Sequence, residues 1–442
     1  MTPEAKSAAA NGDVLALGFG TSVAMWFLGY LCRMPPALVP SWLLALGLLV
    51  CLAAGGFAAG RLTGRGWRAG LASGLVSSAI NLLILGSLLG GDRANQVVPS
   101  ALWWVPGSLL VGAGIASAAA VAGSLTRREG APAVNWTEAF AGVAAAATFL
   151  QLLVGGLVTS NKAGLAVVDW PNSFGTNMFL YPLSRMTGAI YYEHAHRLFG
   201  SLVGLTTVVL AVHLFRAERR AWVKRLALVA VLAVIAQGIL GGLRVTGSFT
   251  TSTSPEAMAP SITLAIVHGV LGPAFFALMI ALAAFTATAW ASDAPARVTS
   301  HAASEHLIGL LLVGAVAVQL VVGAIQRHLA RGLVVHIAFA VVVLALALLH
   351  GSRLWGLYEG QPLLHRLGRL VITVAAVQVS LGILAFFAIQ FRVEGVPRPA
   401  WDVLLTTAHQ ACGSVLLGCS VMGALWSRRL LVQTKAAAVP NV

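Results

Sequence analysis

Twelve stretches of this chain stay apolar for as long as a helix needs to cross a bilayer. Spanning hydrocarbon takes roughly 20 apolar residues, because every backbone N–H and C=O must be satisfied within the segment. The stretches lie near 14–31, 38–60, 69–90, 101–124, 138–160, 193–215, 222–246, 261–290, 306–326, 332–352, 368–391 and 403–426. Of the 442 residues, 58% are hydrophobic and only 10% charged, more apolar surface than a water-soluble core can hide. The expected fold is an all-α polytopic membrane protein with twelve transmembrane helices. The polar start, with Glu4, Lys6 and Asp13, leads into an apolar run with no small-residue cleavage site. Val14 is therefore expected to open a retained helix.

The formal charge of +14 raises the question of a nucleic-acid partner, and its distribution answers it. Alternate loops collect most of the 28 basic residues on one side: Lys6, Arg61, Arg65, Arg68, Arg127 and Arg128, then Arg216, Arg219, Arg220, Lys224 and Arg225. Arg297, Arg353, Arg366, Arg369, Arg428, Arg429 and Lys435 continue the same pattern. The positive-inside rule then puts both termini in the cytoplasm. Topology and contact with anionic membrane lipids account for the charge, with no nucleic acid.

The last eight segments repeat. TFLQLLVGGLV around Gln151 resembles VAVQLVVGAIQ around Gln319, and IAQGILGGL around Gln237 resembles AVQVSLGIL around Gln378. Each glutamine is followed four residues on by glycine: Gly155, Gly323, Gly241 and Gly382. A spacing of 31 residues separates Gln237 from His268, and Gln378 from His409. Four helices per repeat is an even number, so two parallel four-helix bundle repeats about an axis along the membrane normal are expected. The domains read as 1–130, an amino-terminal four-helix region of unassigned role; 131–300, a first repeat; and 301–442, a second. The cytoplasmic linker between the first two runs over 125–137, with Glu129 and Pro132. GFAAG at 56–60 and GSLLG at 86–90 are spaced for close helix packing. Of the four cysteines, Cys412 and Cys419 share a helix face and read as packing residues.

Four histidines open four of these eight segments: His196, His268, His336 and His409. An imidazole in hydrocarbon is costly, so each is a functional candidate. A small residue follows each at i+4 (Gly200, Gly272, Ala340 and Gly413), suggesting a flat spot beside the ring. Two pairs of imidazole ligands to heme iron, both near the extracytoplasmic side, fit this pattern better than zinc, which wants carboxylate or thiolate company. His213, His350 and His365 fall at cytoplasmic ends, where they can reach headgroups.

The two repeats differ. Only the first has a long outer loop, about 161–192, and only the first has Glu193, at i, i+3 from His196. The second makes that crossing through RHLAR and carries Leu333 in place of the carboxylate. Glu193 can act beside a reacting carbon, or it can orient a histidine and pair with Arg197. Arg197, Arg244, Lys162 and Arg185 can bind heme propionates or anchor the membrane interface.

These residues form recognisable motifs: Gly155-Gly156-Leu157-Val158-Thr159-Ser160 into Asn161-Lys162-Ala163-Gly164-Leu165, Asp169-Trp170-Pro171, Glu193-x-x-His196-Arg197, Gln237-Gly238 through Gly241-Gly242-Leu243-Arg244, and Thr407-Ala408-His409-Gln410. Over residues 138–430 the chain resembles the heme A synthase family of eight-helix membrane enzymes. The resemblance implies a catalytic first half that oxidises a methyl group of heme O to the formyl group of heme A, for cytochrome oxidase. By that resemblance His196 and His268 flank heme O or heme A, Glu193 assists the chemistry, and His336 with His409 ligate heme b. It implies an integral protein of a bacterial inner membrane, with heme O synthase and cytochrome oxidase subunits as partners, and it allows a homo-oligomer. The loop cysteine pairs of some members are absent here, and the amino-terminal helices are outside the family's pattern. The same histidines would also serve a bis-histidine di-heme electron-transfer protein with no substrate oxidation.

Overall fold

We describe a computed structural model covering residues 11–433, apart from 37, 92, 129, 131–132, 251, 292–295 and 394. Lys6, Glu129, Pro132 and Lys435 lie outside the described residues. Among those described, twelve helices are long and apolar enough to cross a membrane. They are α1 (Gly12–Arg33), α2 (Ser41–Thr63), α3 (Trp67–Leu89), α4 (Ala101–Leu125), α5 (Trp136–Ser160), α6 (Gly188–Ala217), α7 (Ala221–Thr246), α8 (Ile262–Thr286), α9 (Ala302–Leu329), α10 (Leu333–Leu357), α11 (Pro362–Gln390) and α12 (Ala400–Leu430).

Local chemistry sets the ends. Asn135 caps α5 by accepting from Glu138 N–H at 3.1 Å. Gly64 and Gly247 stop α2 and α7 at φ of 70° and 74°, the left-handed turn that glycine adopts without strain. Every expected span coincides with a helix. The eighth is the one that stops short, at Thr286, before a four-residue helical turn, Thr288–Ala291.

The chain divides into two compact units, Met1–His268 and Gly269–Val442, with the boundary inside α8. In the first unit, α2, α3 and α4 approach through glycine. A Cβ on Gly60 would sit 1.9 Å from the Ala120 carbonyl oxygen, and one on Gly70 would sit 2.3 Å from that of Ala116. GFAAG is thus the close-packing stripe its spacing suggests. GSLLG is not. Gly86 and Gly90 face loop carbonyls instead, 2.3 Å from Phe179 O and 2.1 Å from Leu180 O for an added Cβ. A small residue leaves room for any neighbour, and spacing alone does not say which.

The amino-terminal helices also pack on α5 and α6. Phe19 meets Phe140 at 5.3 Å, Trp26 meets Phe199 at 5.8 Å, and Tyr30 stacks on Tyr191 at 5.4 Å between ring centroids. Tyr191 and Tyr192 donate their hydroxyls to the carbonyls of Tyr30 and Pro35. Within α1 and α3, Ser22 bonds Ser77 and Trp26 Nε1 donates to Asn81 Oδ1, each at 3.0 Å.

The second unit has an aliphatic core from α8 to α12 that includes Leu312, Val316, Ala347, Val371 and Leu417. Cys419 belongs to that core, as a packing residue should. At one end, Arg297–Val298 and Leu431–Val432 pair as a two-residue parallel ladder.

Gly60→Val, which must displace backbone, is expected to cost about 2–3 kcal/mol by overpacking. Gly114→Val, which meets nothing within 4 Å, should be near neutral. Denaturant titration of the two variants in detergent checks the contrast.

Candidate functional site

Each histidine is held by the helix before it. In α5, Gln151 Nε2 donates to the backbone carbonyl of His196 on α6 at 3.1 Å. One turn along, a Cβ on Gly155 would stand 2.8 Å from His196 Cε1, so only glycine leaves the ring its place. On α7, Gln237 donates to His268 O at 3.3 Å and Gly241 clears the His268 ring. In the second unit, Gln319 donates to His336 O at 2.9 Å, with Gly323 beside that ring. Gly382 likewise clears His409, where an added Cβ would lie 3.0 Å from Cε1.

This corrects the reading of the small residues at i+4. Gly200 and Gly413 face glutamine amides, each with an added Cβ at 3.3 Å from Gln151 Nε2 or Gln378 Nε2. The cause is geometric. A helical side chain leans toward the N-terminus, so the histidine ring covers the preceding turn rather than the following one. Space for the imidazole therefore comes from the neighbouring helix.

The rings meet in pairs. His196 and His268 have centroids 6.2 Å apart at 88°, and His336 and His409 have the same separation at 83°. A direct N–H···N bond of roughly 2.9 Å, with each ring nitrogen about 1.1 Å from its centroid, would bring the centroids to about 5 Å. One metal ion with bonds of roughly 2 Å to each ring gives about 6 Å. The observed separation is the second. In addition, Nδ1 of His196, His268 and His409 is buried with no hydrogen-bond partner. Among the described residues no group of three or more His, Cys, Asp or Glu is arranged to hold a metal ion. Two imidazoles suit a metal whose remaining positions are filled by a macrocycle, so the residues present fit heme.

Glu193 lies 2% exposed, one turn before His196. Its carboxylate bridges Arg197 at 3.5 Å and Arg244 at 3.3 Å. Arg197 also donates to three loop carbonyls: Asp169 at 2.6 Å, Asn172 at 2.9 Å and Val167 at 2.9 Å. Arg244 donates to Gly164 O at 2.7 Å. Two guanidinium groups thus tie the carboxylate to the loop over this end of the first unit. Lys162 sits exposed on that loop at φ 55° and makes no ion pair with Glu193.

The loop is well anchored. Asp169 accepts from the Phe174 and Gly175 N–H groups at 2.7 and 2.8 Å. Trp170 lies against Gly242 so closely that a Cβ there would be 2.2 Å from the indole. His194, fully buried, bonds Ser173 Oγ at 3.0 Å and packs on Tyr181 at 5.0 Å. Burial raises the Tyr181 phenol above its ordinary pKa, with Arg185 opposing the shift. Residues 177–180 rest on the amino-terminal region, through Gly86, Gly90 and the Asn95 side chain, which accepts from Asn177 N–H at 2.7 Å.

His213 and His350 do not reach toward headgroups: they are 4% and 0% exposed. His213 bonds Thr137 at 3.0 Å, and His350 packs beside Gly423 and Gly309, where glycine makes room for a ring. His365 is half-buried, bonding Trp355 O at 2.8 Å. The second unit also holds a carboxylate two turns before His409. Asp402 is fully buried in a two-pronged bridge with Arg392 at 2.7 and 2.8 Å, so its charge is already committed.

Arg197→Lys keeps the charge but not the planar fork. It should lose at least one charged hydrogen bond to the loop, about 2–3 kcal/mol. Limited proteolysis of the full chain should then cut within 161–187 at least tenfold faster, while cleavage in the second unit stays unchanged.

No curated protein matches the chain. The family likeness expected over 138–430 is found over a shorter stretch, which takes in His196, His268 and His336 and stops short of His409. Residues 138–336, from the first turn of α5 to His336 in α10, match the model of the family described as cytochrome oxidase assembly protein.

Proposed function

We propose that the chain is a heme A synthase-like oxidoreductase, converting the methyl group of heme O to the formyl group of heme A in cytochrome oxidase assembly. The observation that carries this reading is the difference between two otherwise matching histidine pairs. Both have the metal-spanning separation of 6.2 Å. Only His196 has a buried carboxylate one turn away, with two arginines and an anchored loop. In the second unit Leu333 stands at that place.

Each residue then has a task. His196 and His268 would hold the iron of heme O, and His336 and His409 that of a resident heme b, which when bound supplies one-electron redox chemistry. Arg197 and Arg244 keep a negative charge at Glu193 compatible with burial. A carboxylate so placed can accept a proton as the methyl carbon loses hydrogen. With water as the oxygen source, the change from methyl to formyl releases four protons and four electrons, so an external acceptor is required. The anchored loop would exclude bulk water from this step. Heme O synthase and cytochrome oxidase subunits are the partners this reading implies, at the outer side of a bacterial inner membrane.

The committed ion pairs of Glu193 favour a second reading, a di-heme electron carrier in which the carboxylate only braces Arg197. Expression of the full chain with a heme O supply, followed by extraction and mass analysis of hemes, separates the two. The enzyme yields heme A, and Glu193→Gln should lower that yield by about 100-fold or more while heme content stays constant. His336→Ala should remove heme b alone. Heme b with no heme A under any electron acceptor would establish the carrier instead.

A further inference from the structure

A cavity of about 400 Å³ opens in the first unit, where the start of α1, the α2–α3 turn, α3 and the end of α6 converge. Its walls are apolar, built from residues such as Val14, Leu15, Val209 and Val212. Its polar lining is mainly basic: Arg65, Arg216 and His213. These elements meet on the side that the loop charges assign to the cytoplasm. A cleft apolar along its depth and cationic at the level of the headgroups matches an amphipathic anion.

The charges are unevenly committed. Arg65 donates to Asp13 Oδ2 at 2.5 Å, and Asp13 Oδ1 accepts from Val14 N–H at 2.7 Å. His213 is held by Thr137. Arg216 is exposed and has no acidic partner among the described residues. One guanidinium is therefore open to a ligand, and a second is shared with a carboxylate that a ligand must compete against.

We propose that this cleft binds the phosphodiester headgroup of an anionic glycerophospholipid, with Arg216 and Arg65 on the phosphate and the first acyl carbons along Val14, Val209 and Val212. A soluble phosphate would satisfy the arginines but leave the apolar walls uncovered, so the lipid fits both parts of the lining. The site is independent of heme, since none of its residues touches either histidine pair.

The opposed signs of Asp13 and Arg216 make the test specific. Full-length protein in detergent is loaded with phosphatidylglycerol, phosphatidylcholine or inorganic phosphate alone, and retained ligand is read by native mass spectrometry. Phosphatidylglycerol should be retained in preference to phosphatidylcholine, and Arg216→Gln should lower its retention about fivefold. Asp13→Asn, which frees Arg65, should raise it. Misfolding cannot produce both shifts, and neither variant should alter the loop protease sensitivity of residues 161–187. Equal retention of the two lipids would overturn the proposal, as would insensitivity to both variants. Phosphate binding without lipid, with the same variant dependence, would overturn the lipid assignment and leave a soluble anion site.

Discussion

A histidine inside a membrane helix needs room for its ring and a neighbour that keeps its helix in register. Here one motif on the preceding helix provides both. A glutamine amide grips the histidine's own backbone carbonyl, and a glycine one turn later leaves space for the imidazole. Gln151 with Gly155 does this for His196, and Gln319 with Gly323 does it for His336. A carbonyl within a helix already accepts from i+4, so the amide uses its second lone pair. Two helices are thereby fixed at one height and one rotation. Both ring pairs stand at the same centroid separation, 6.2 Å.

On this shared scaffold the first unit adds charge. Buried Glu193 and half-buried Arg197 and Arg244 form a group whose members are satisfied by one another and by loop carbonyls. Removing any one of them strands the others, so loop and helix hold together or loosen together. The amino-terminal helices take part in this. Through Gly86, Gly90, Asn95, Tyr30 and Pro35 they support the far end of the loop and the turn that carries Glu193. In the second unit the corresponding polar capacity is spent in pairs such as Arg392 with Asp402.

Much of this was legible before any coordinates. The helices follow from apolar length alone, since hydrocarbon admits few other solutions. The spacing of Gln237 to His268 and Gln378 to His409 announced two related histidine pairs. The uneven placement of Glu193 announced which pair differs. Less legible was the partner of each small residue. Gly200 looked like a seat for a ring and is a seat for an amide; GSLLG looked like a helix contact and is a loop contact. His213 and His350 sit near helix ends, and position along a helix does not report which face is covered.

The sequence by itself determined the number of spanning helices, the identity of four imidazoles and the asymmetry of their surroundings. Those features are written in one dimension, as run length, spacing and residue type. Tertiary structure decided that the imidazoles meet in pairs 6.2 Å apart, that Glu193 is shared between two guanidinium groups, and that Arg197 is anchored to carbonyls 25 to 30 residues away. Such contacts depend on helix rotation and on backbone groups that every residue carries alike, so no residue pattern marks them.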